Sequence, residues 1–235
     1  MNDRVVVVTG ASRGIGFAVA EKFASQGFAV FLGGTNEQKL KEAVDFLSLK
    51  YKVNCNYHAS DLSTETGCHS FSKAVLDVYS EIHVLVNNAG LFLGGKMMEE
   101  DSIQFRKMME LNLFSAYHIT KDLWNLFAKN AKSHVFNMCS IASFTAYPAG
   151  GSYSVSKFAL LGFSKSLRLE GMEKGIAVTA VMPGATLTDS WAGVDLPNTR
   201  FMKTDDVAEV IFTSWKVNDF TVTEEIILRP FLGDI

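Results

Sequence analysis

The sequence predicts an α/β fold, a doubly wound sandwich of seven mostly parallel strands with helices on both faces. Three observations predict it. Strand-like and helix-like segments alternate along all 235 residues. The first strand holds four valines in succession, Val5 to Val8, with no polar alternation, which marks a strand covered on both sides. Neither a low-complexity tract nor a composition break interrupts the rhythm, and only four prolines occur. Residues 1–235 are therefore expected to form one domain.

Each element has its own reason. The stretch "RVVVVTG" is the first strand. "IGFAVAEKFASQG" follows with helical spacing, placing Ile15, Val19 and Phe23 on one stripe and Gly27 at the stop. "FAVFLGG" is a second buried strand, and "NEQKLKEAVDFLSLKY" an amphipathic helix with Asn36 placed to cap it. Strand "VNCNYHAS", helix "TETGCHSFSKAVLDVYS" and strand "IHVLVNNAG" continue the series, followed by a helical region from about Ser102 to Lys129. Strand "SHVFNMCS", a helix containing Tyr153, strand "IAVTAVMPG", a helix from Thr204 and strand "EEIILRP" complete it.

Between the first strand and first helix lies "TGASRGIG", Thr9 to Gly16. Gly10 permits a tight turn, Gly14 lets the main chain approach a ligand, and Gly16 lets the helix pack closely on the sheet. Unpaired N–H groups and the helix dipole suit a phosphate at this point. The glycine spacing, GxxxGxG, also serves a plain tight connection, and the patterned strand and helix on either side favour the nucleotide reading.

Composition excludes other classes. A net charge of -3 offers no basic field for nucleic acid or anionic membrane. Cys55, Cys68 and Cys139 are widely spaced, which reads as buried thiols in a reducing compartment. His58, His69, His83, His118 and His134 show no ligand-like spacing, so no metal site is expected. No run of about 18 apolar residues occurs. With a strand starting by Arg4, no signal peptide is expected ahead of it, and the expected location is the cytoplasm.

Further along, Asp61–Leu62, "NNAG" at Asn87–Gly90, Asn112 in "LNLFSAYH", Ser140 closing "VFNMCS", Tyr153 and Lys157 in "YSVSK", and "PGATLT" from Pro183 follow the glycine loop in order. In this set the chain resembles the classical short-chain dehydrogenases/reductases over nearly its whole length. The resemblance implies a Rossmann-type sheet in the order 3-2-1-4-5-6-7. It also implies a catalytic set of Asn112, Ser140, Tyr153 and Lys157. The cofactor-binding set it implies is Gly10, Ser12, Arg13, Gly14, Ile15, Gly16, Thr35, Asp61, Leu62, Asn88, Ala89, Gly90, Tyr153, Lys157, Pro183, Gly184, Thr186 and Thr188.

Chemistry gives that set roles. Reducing a ketone takes a hydride, supplied by a nicotinamide, and a proton, which a phenol can give. A free tyrosine titrates near 10. An ammonium about 4 Å away, at an effective dielectric of about 20, favours phenolate by up to ~4 kcal/mol. Lys157, one helical turn from Tyr153, is expected to supply that charge. By resemblance Lys157 also bonds the nicotinamide ribose, and Asn112 positions water linking Lys157 to solvent. Ser140 is expected to hold the substrate oxygen, although a strand-end hydroxyl also bonds nearby main chain.

The end of the second strand, "FLGGTNE", places Gly34 or Thr35 where a carboxylate would select NAD. Arg13 suits a 2′-phosphate, so NADP(H) is expected ahead of NAD(H), with Glu37 the residue for the alternative. Phe92, Phe144, Tyr147, Met182 and Trp191 are the candidate pocket residues, under a mobile loop from about Thr186 to Arg200. The ending "EEIILRPFLGDI" looks more like that of sepiapterin- and benzil-reductase-type members than that of β-ketoacyl carrier-protein reductases. The segments "LFSAYHITKDLWNLFAK" and "FALLGFSKSLRL" are apolar over more than one stripe, and with the resemblance they suggest a homodimer or homotetramer. The expected activity is reduction of a small-molecule carbonyl compound. An NAD-linked secondary alcohol dehydrogenase, a β-ketoacyl carrier-protein reductase and a non-catalytic NADP-binding regulator are the rivals.

Overall fold

The computed structural model describes residues 4–127, 132–191 and 193–235. Seven strands form one all-parallel sheet: β1 (Val5–Val8), β2 (Ala29–Gly34), β3 (Cys55–Ala59), β4 (Val84–Asn87), β5 (Ser133–Met138), β6 (Ile176–Pro183) and β7 (Glu225–Leu228). Their order is β3-β2-β1-β4-β5-β6-β7, and every neighbouring pair runs parallel. The expected strand order holds, and "mostly parallel" becomes wholly parallel.

Side-chain alternation explains the valine run. Val6 and Val8 face α1 (Gly14–Ala24), α2 (Glu37–Tyr51) and α7 (Thr204–Lys216), in a core with Phe23, Leu40, Ile211 and Trp215. Val5 and Val7 face the other layer, α3 (Glu65–Val78), α5 (Ser115–Leu123) and α6 (Gly151–Lys174), with Phe71, Val75, Ile119 and Leu167. Both faces of β1 are dry, so a polar residue at any of the four positions would be buried without a partner.

Helix ends follow local chemistry. Asn36 caps α2 as expected, its side chain accepting from the Lys39 N–H, and Gly27 sits at φ +81° shortly after α1. The helical region expected from Ser102 to Lys129 is not one helix. α4 (Ser102–Met109) passes through a π-helical turn (Glu110–Phe114) into α5, which ends at Leu123. Positions 128 and 129 of that expected helix lie outside the described residues, as does position 192 of the loop from Thr186 to Arg200. Among the described residues, no helix is long and apolar enough to cross a membrane.

Candidate active site

Because every strand runs the same way, the carboxyl ends of the strands lie along one edge of the sheet, and the singled-out motifs follow them there. β2 and β4 flank β1 on opposite sides, so the chain leaves the sheet in opposite directions beside β1 and opens a crevice. The glycine loop forms one wall. Gly10 and Gly14 lie at φ +62° and +60°, a region costly for other residues. A Cβ on Gly16 would stand 2.4 Å from Asn88 Nδ2 and 2.5 Å from the Gly10 oxygen.

Asn88 braces this loop by donating from Nδ2 to the carbonyls of Thr9 and Gly10, both at 3.0 Å. The Thr9 hydroxyl accepts from the N–H groups of Asn88 and Ala89. Ser12 and Ile15 are half-buried in the loop, and Arg13 precedes α1 without a side-chain cap on its first turn. First-turn N–H donors without a side-chain acceptor, set behind glycines in left-handed conformation, fit the pyrophosphate of a dinucleotide. The other expected contacts ring the same edge: exposed Thr35, Asp61 and Gly90, half-buried Ala89 and Gly184, and the β6 end at Pro183. Thr186 is buried and donates to the Gly184 carbonyl, while Thr188 lies against the glycine loop, its Cγ2 3.5 Å from where a Gly14 Cβ would stand.

Three expectations change here. The Leu62 side chain is 2% exposed and packs in the core, so only its main chain remains for an adenine ring. Met182 is fully buried beside Cys139 and Leu160, which removes it from the pocket. Arg13 is not a free cation, because Nη1 lies 2.8 Å from Asp189 Oδ2, with both side chains mostly exposed. Phe92, Phe144 and Tyr147 are partly exposed, and the Phe92 ring meets Tyr153 edge-on at 5.0 Å. Trp191 packs against Phe201.

The structure brings Ser140, Tyr153, Lys157 and Asn112 together. Ser140 lies two residues past β5 and caps a single 3₁₀ turn, its Oγ accepting from the Ala142 N–H at 3.1 Å. The local bond foreseen for a strand-end hydroxyl therefore exists, and the hydroxyl proton remains to be donated. Lys157 is 5% exposed and donates from Nζ to the Met138 carbonyl at 2.7 Å, with Nζ 5.7 Å from the centre of the Tyr153 ring. Asn112, in the π turn, accepts from the Leu91 N–H and donates to the Leu91 carbonyl and to Ser156 Oγ. Ser156 in turn donates to the Tyr153 carbonyl. Asn112 thus ties α6 to Leu91, in the loop that follows "NNAG". The π turn that carries it is a common local device at functional sites.

The electrostatics run against the simple ion-pair expectation. Burial pushes the Tyr153 phenol up to about 12, opposed by its interaction with Ser140. Burial pushes Lys157 down to about 8. Loss of hydration dominates at both groups, so Tyr153 holds its proton through neutrality and Lys157 gives up its charge as pH rises through about 8.

Sequence reasoning missed three supports. Glu100 accepts from the Ser152 main-chain N–H at 3.1 Å and from its hydroxyl, anchoring the start of α6 next to Tyr153. Ser156 links Asn112 to α6. Asn87 donates to Thr120 and Asn137, and Asn137 to Ser164, joining β4, β5, α5 and α6 in a buried chain of side chains. Asn87 stood inside a motif already singled out. The others carry no local signal, because their partners lie 27 to 52 residues away.

Comparison with known proteins decides the family. The profile of the family described as short chain dehydrogenase matches residues 4–197. The chain belongs to that family. It is 28% identical to the sepiapterin reductase of Chlorobaculum tepidum over 240 residues, covering 98% of each chain. Among solved structures, it is similar to an alcohol dehydrogenase from Thermococcus sibiricus complexed with 5-hydroxy-NADP, with a TM-score of 0.92 and 28% identity, covering 100% of this chain and 99% of that one. It is also similar to L-sorbose reductase from Gluconobacter frateurii complexed with NADPH and L-sorbose. There the TM-score is 0.90 at 25% identity, covering 98% of this chain and 96% of the other. This short-chain dehydrogenase is therefore an oxidoreductase by family.

Proposed function

We propose that this short-chain dehydrogenase is an NADP(H)-dependent reductase of a small carbonyl compound, with Tyr153 as proton donor. When bound, the cofactor supplies the hydride. Gly10, Gly14, Gly16 and the open first turn of α1 would hold its pyrophosphate. Exposed Thr35, at a β2 end without a carboxylate, and Arg13 would face the adenosine ribose phosphate. That 5-hydroxy-NADP and NADPH occupy the similar structures from Thermococcus and Gluconobacter supports this choice.

The residues then divide the work. Ser140, its oxygen already accepting from Ala142, donates its hydroxyl proton to the substrate oxygen and aims that oxygen at Tyr153. Tyr153, protonated through neutrality, gives its proton as negative charge develops there. Lys157 lies beneath the tyrosine ring and stabilises the phenolate that remains. Asn112, through Ser156, fixes the main chain of α6 at Tyr153. Phe92, Phe144 and Tyr147 make the mouth largely apolar and exclude water from the reacting atoms.

The observation that carries the reading is the buried lysine. A 5% exposed ammonium bonded to a main-chain carbonyl under a tyrosine ring is costly to keep for packing alone. Turnover of ketones, diketones and quinones, followed by loss of NADPH absorbance, tests it. Tyr153→Phe is expected to lower kcat by at least about 1000-fold while NADPH affinity changes little. Binding of NADPH with no turnover across the panel would favour a nucleotide-binding regulator instead. The NAD-linked reading rests on Glu37, exposed in the first turn of α2, and tighter binding of NADH than NADPH would defeat the NADP(H) choice.

A further inference from the structure

We propose that Glu65, His69 and His118 form a binding site for a divalent transition-metal ion of the zinc class, bridging α3 and α5 on the surface. Two i,i+4 pairs build it. Glu65 and His69 stand one turn apart on α3, and His118 and Asp122 one turn apart on α5. Beneath them, Phe71 and Val75 pack with Ile119 and Leu123 in one cluster, which fixes the distance between the two helices.

The donor geometry goes beyond a set of surface ion pairs. Glu65 Oε1 lies 3.4 Å from His69 Nε2 and 3.9 Å from His118 Nδ1, and one ligand atom from each of the three residues falls within 4.8 Å of the others. Tetrahedral zinc, with bonds near 2.0 to 2.1 Å to nitrogen and oxygen, sets its ligands about 3.3 Å apart. Closing the remaining gap takes small rotations of side chains that are partly exposed. The imidazoles meet at 72° with centres 5.7 Å apart, so they do not stack.

Asp122 completes the arrangement. Its Oδ2 lies 2.7 Å from His69 Nδ1. A proton on Nδ1 shared with that carboxylate fixes the ring and leaves Nε2, the nitrogen facing Glu65, as the free donor. A carboxylate behind a histidine is the usual outer support of a metal-binding imidazole. Two imidazoles and one carboxylate suit zinc better than magnesium or calcium, and the exposed side leaves a fourth position for water. The spacing escaped a sequence reading because Glu-x-x-x-His and His-x-x-x-Asp lie on separate helices, and only the α3–α5 packing joins them.

The test uses tag-free, full-length protein stripped with a chelator and titrated with zinc chloride by calorimetry at pH 8. Thermal unfolding is followed in parallel, and cobalt(II) absorption serves as a second probe. One zinc per chain is expected, with a raised unfolding midpoint. His118→Ala and His69→Gln should each weaken zinc binding at least about 10-fold, and Asp122→Asn about 10-fold through its effect on His69. Metal-free melting and NADPH turnover of these variants should match the parent, which separates loss of the site from loss of the fold. Absence of stoichiometric binding below millimolar zinc, or binding unchanged in both histidine variants, would overturn the proposal. The site stands apart from the carbonyl-reductase reading, so either can fail alone.

Discussion

Replacing Lys157 by Met should make the protein more stable at neutral pH while destroying its activity. Lys157 falls from its ordinary 10.5 to about 8 because it is buried. At about 1.4 kcal/mol per tenfold change, holding the charged form in the folded state costs up to about 3 kcal/mol. Met has a similar stem and no charge, so it recovers this cost. It forfeits the bond to the Met138 carbonyl, which is worth about 1.5 kcal/mol or more as a bond to a charged group. A net gain of about 1 to 2 kcal/mol is expected at pH 7.

The pH dependence is the sharper signature. Between the folded value near 8 and the unfolded value of 10.5, the unfolded chain binds more protons at this position. The parent protein therefore gains stability as pH rises through that window, and the variant does not. The advantage of Lys157→Met should be full below about pH 8 and should disappear by about pH 10.5. Urea unfolding of both proteins at pH 7, 8.5 and 10, without cofactor, measures it. A stability difference that stays constant from pH 7 to 10 would refute the argument that desolvation dominates this lysine.

The remaining predictions concern the crevice and its supports. Arg13→Ala should weaken NADPH at least about 10-fold and leave NADH within twofold, whereas Asp189→Asn, which releases Arg13 from its ion pair, should tighten NADPH a few-fold. Fluorescence titration with both cofactors measures this, and equal effects on NADPH and NADH would remove Arg13 from the phosphate. Gly16→Ala drives a Cβ into Asn88 Nδ2 and the Gly10 carbonyl, so it should cost about 1 to 3 kcal/mol by urea unfolding and weaken both cofactors alike. Asn137→Ala empties a fully buried position and strips partners from Asn87 and Ser164, with an expected loss of about 2 to 4 kcal/mol in the same assay.

What the sequence made legible was what local pattern controls. Val5 to Val8 announced a strand buried on both faces because no alternation is possible when both layers are helical. Gly10 and Gly14 marked a strand-to-helix turn because few other residues tolerate their backbone angles. Asn36 announced a helix start because its cap lies three residues away. The π turn was illegible for the converse reason. Asn112 is held by Leu91 and Ser156, 21 and 44 residues distant, and those bonds fix the helix at the point where its register slips. Arg13 read as an open cation because Asp189, its partner, sits 176 positions later in the chain.

The two residues at the centre of the site make the same point about charge. Spacing alone put an ammonium beside a phenol and suggested mutual assistance. Burial moves them apart, Tyr153 up to about 12 and Lys157 down to about 8, because each loses the hydration that stabilises its charged form. A tyrosine that keeps its proton is a ready acid and a poor base, which is the protonation state the proposed reduction requires. Oxidation first requires the phenol to release that proton, which positive charge on a bound oxidised nicotinamide would favour. How firmly that proton is held therefore depends on how deeply α6 buries one tyrosine against Ser140, and Glu100 and Asn112, which bond to α6 on either side of it, help hold that depth.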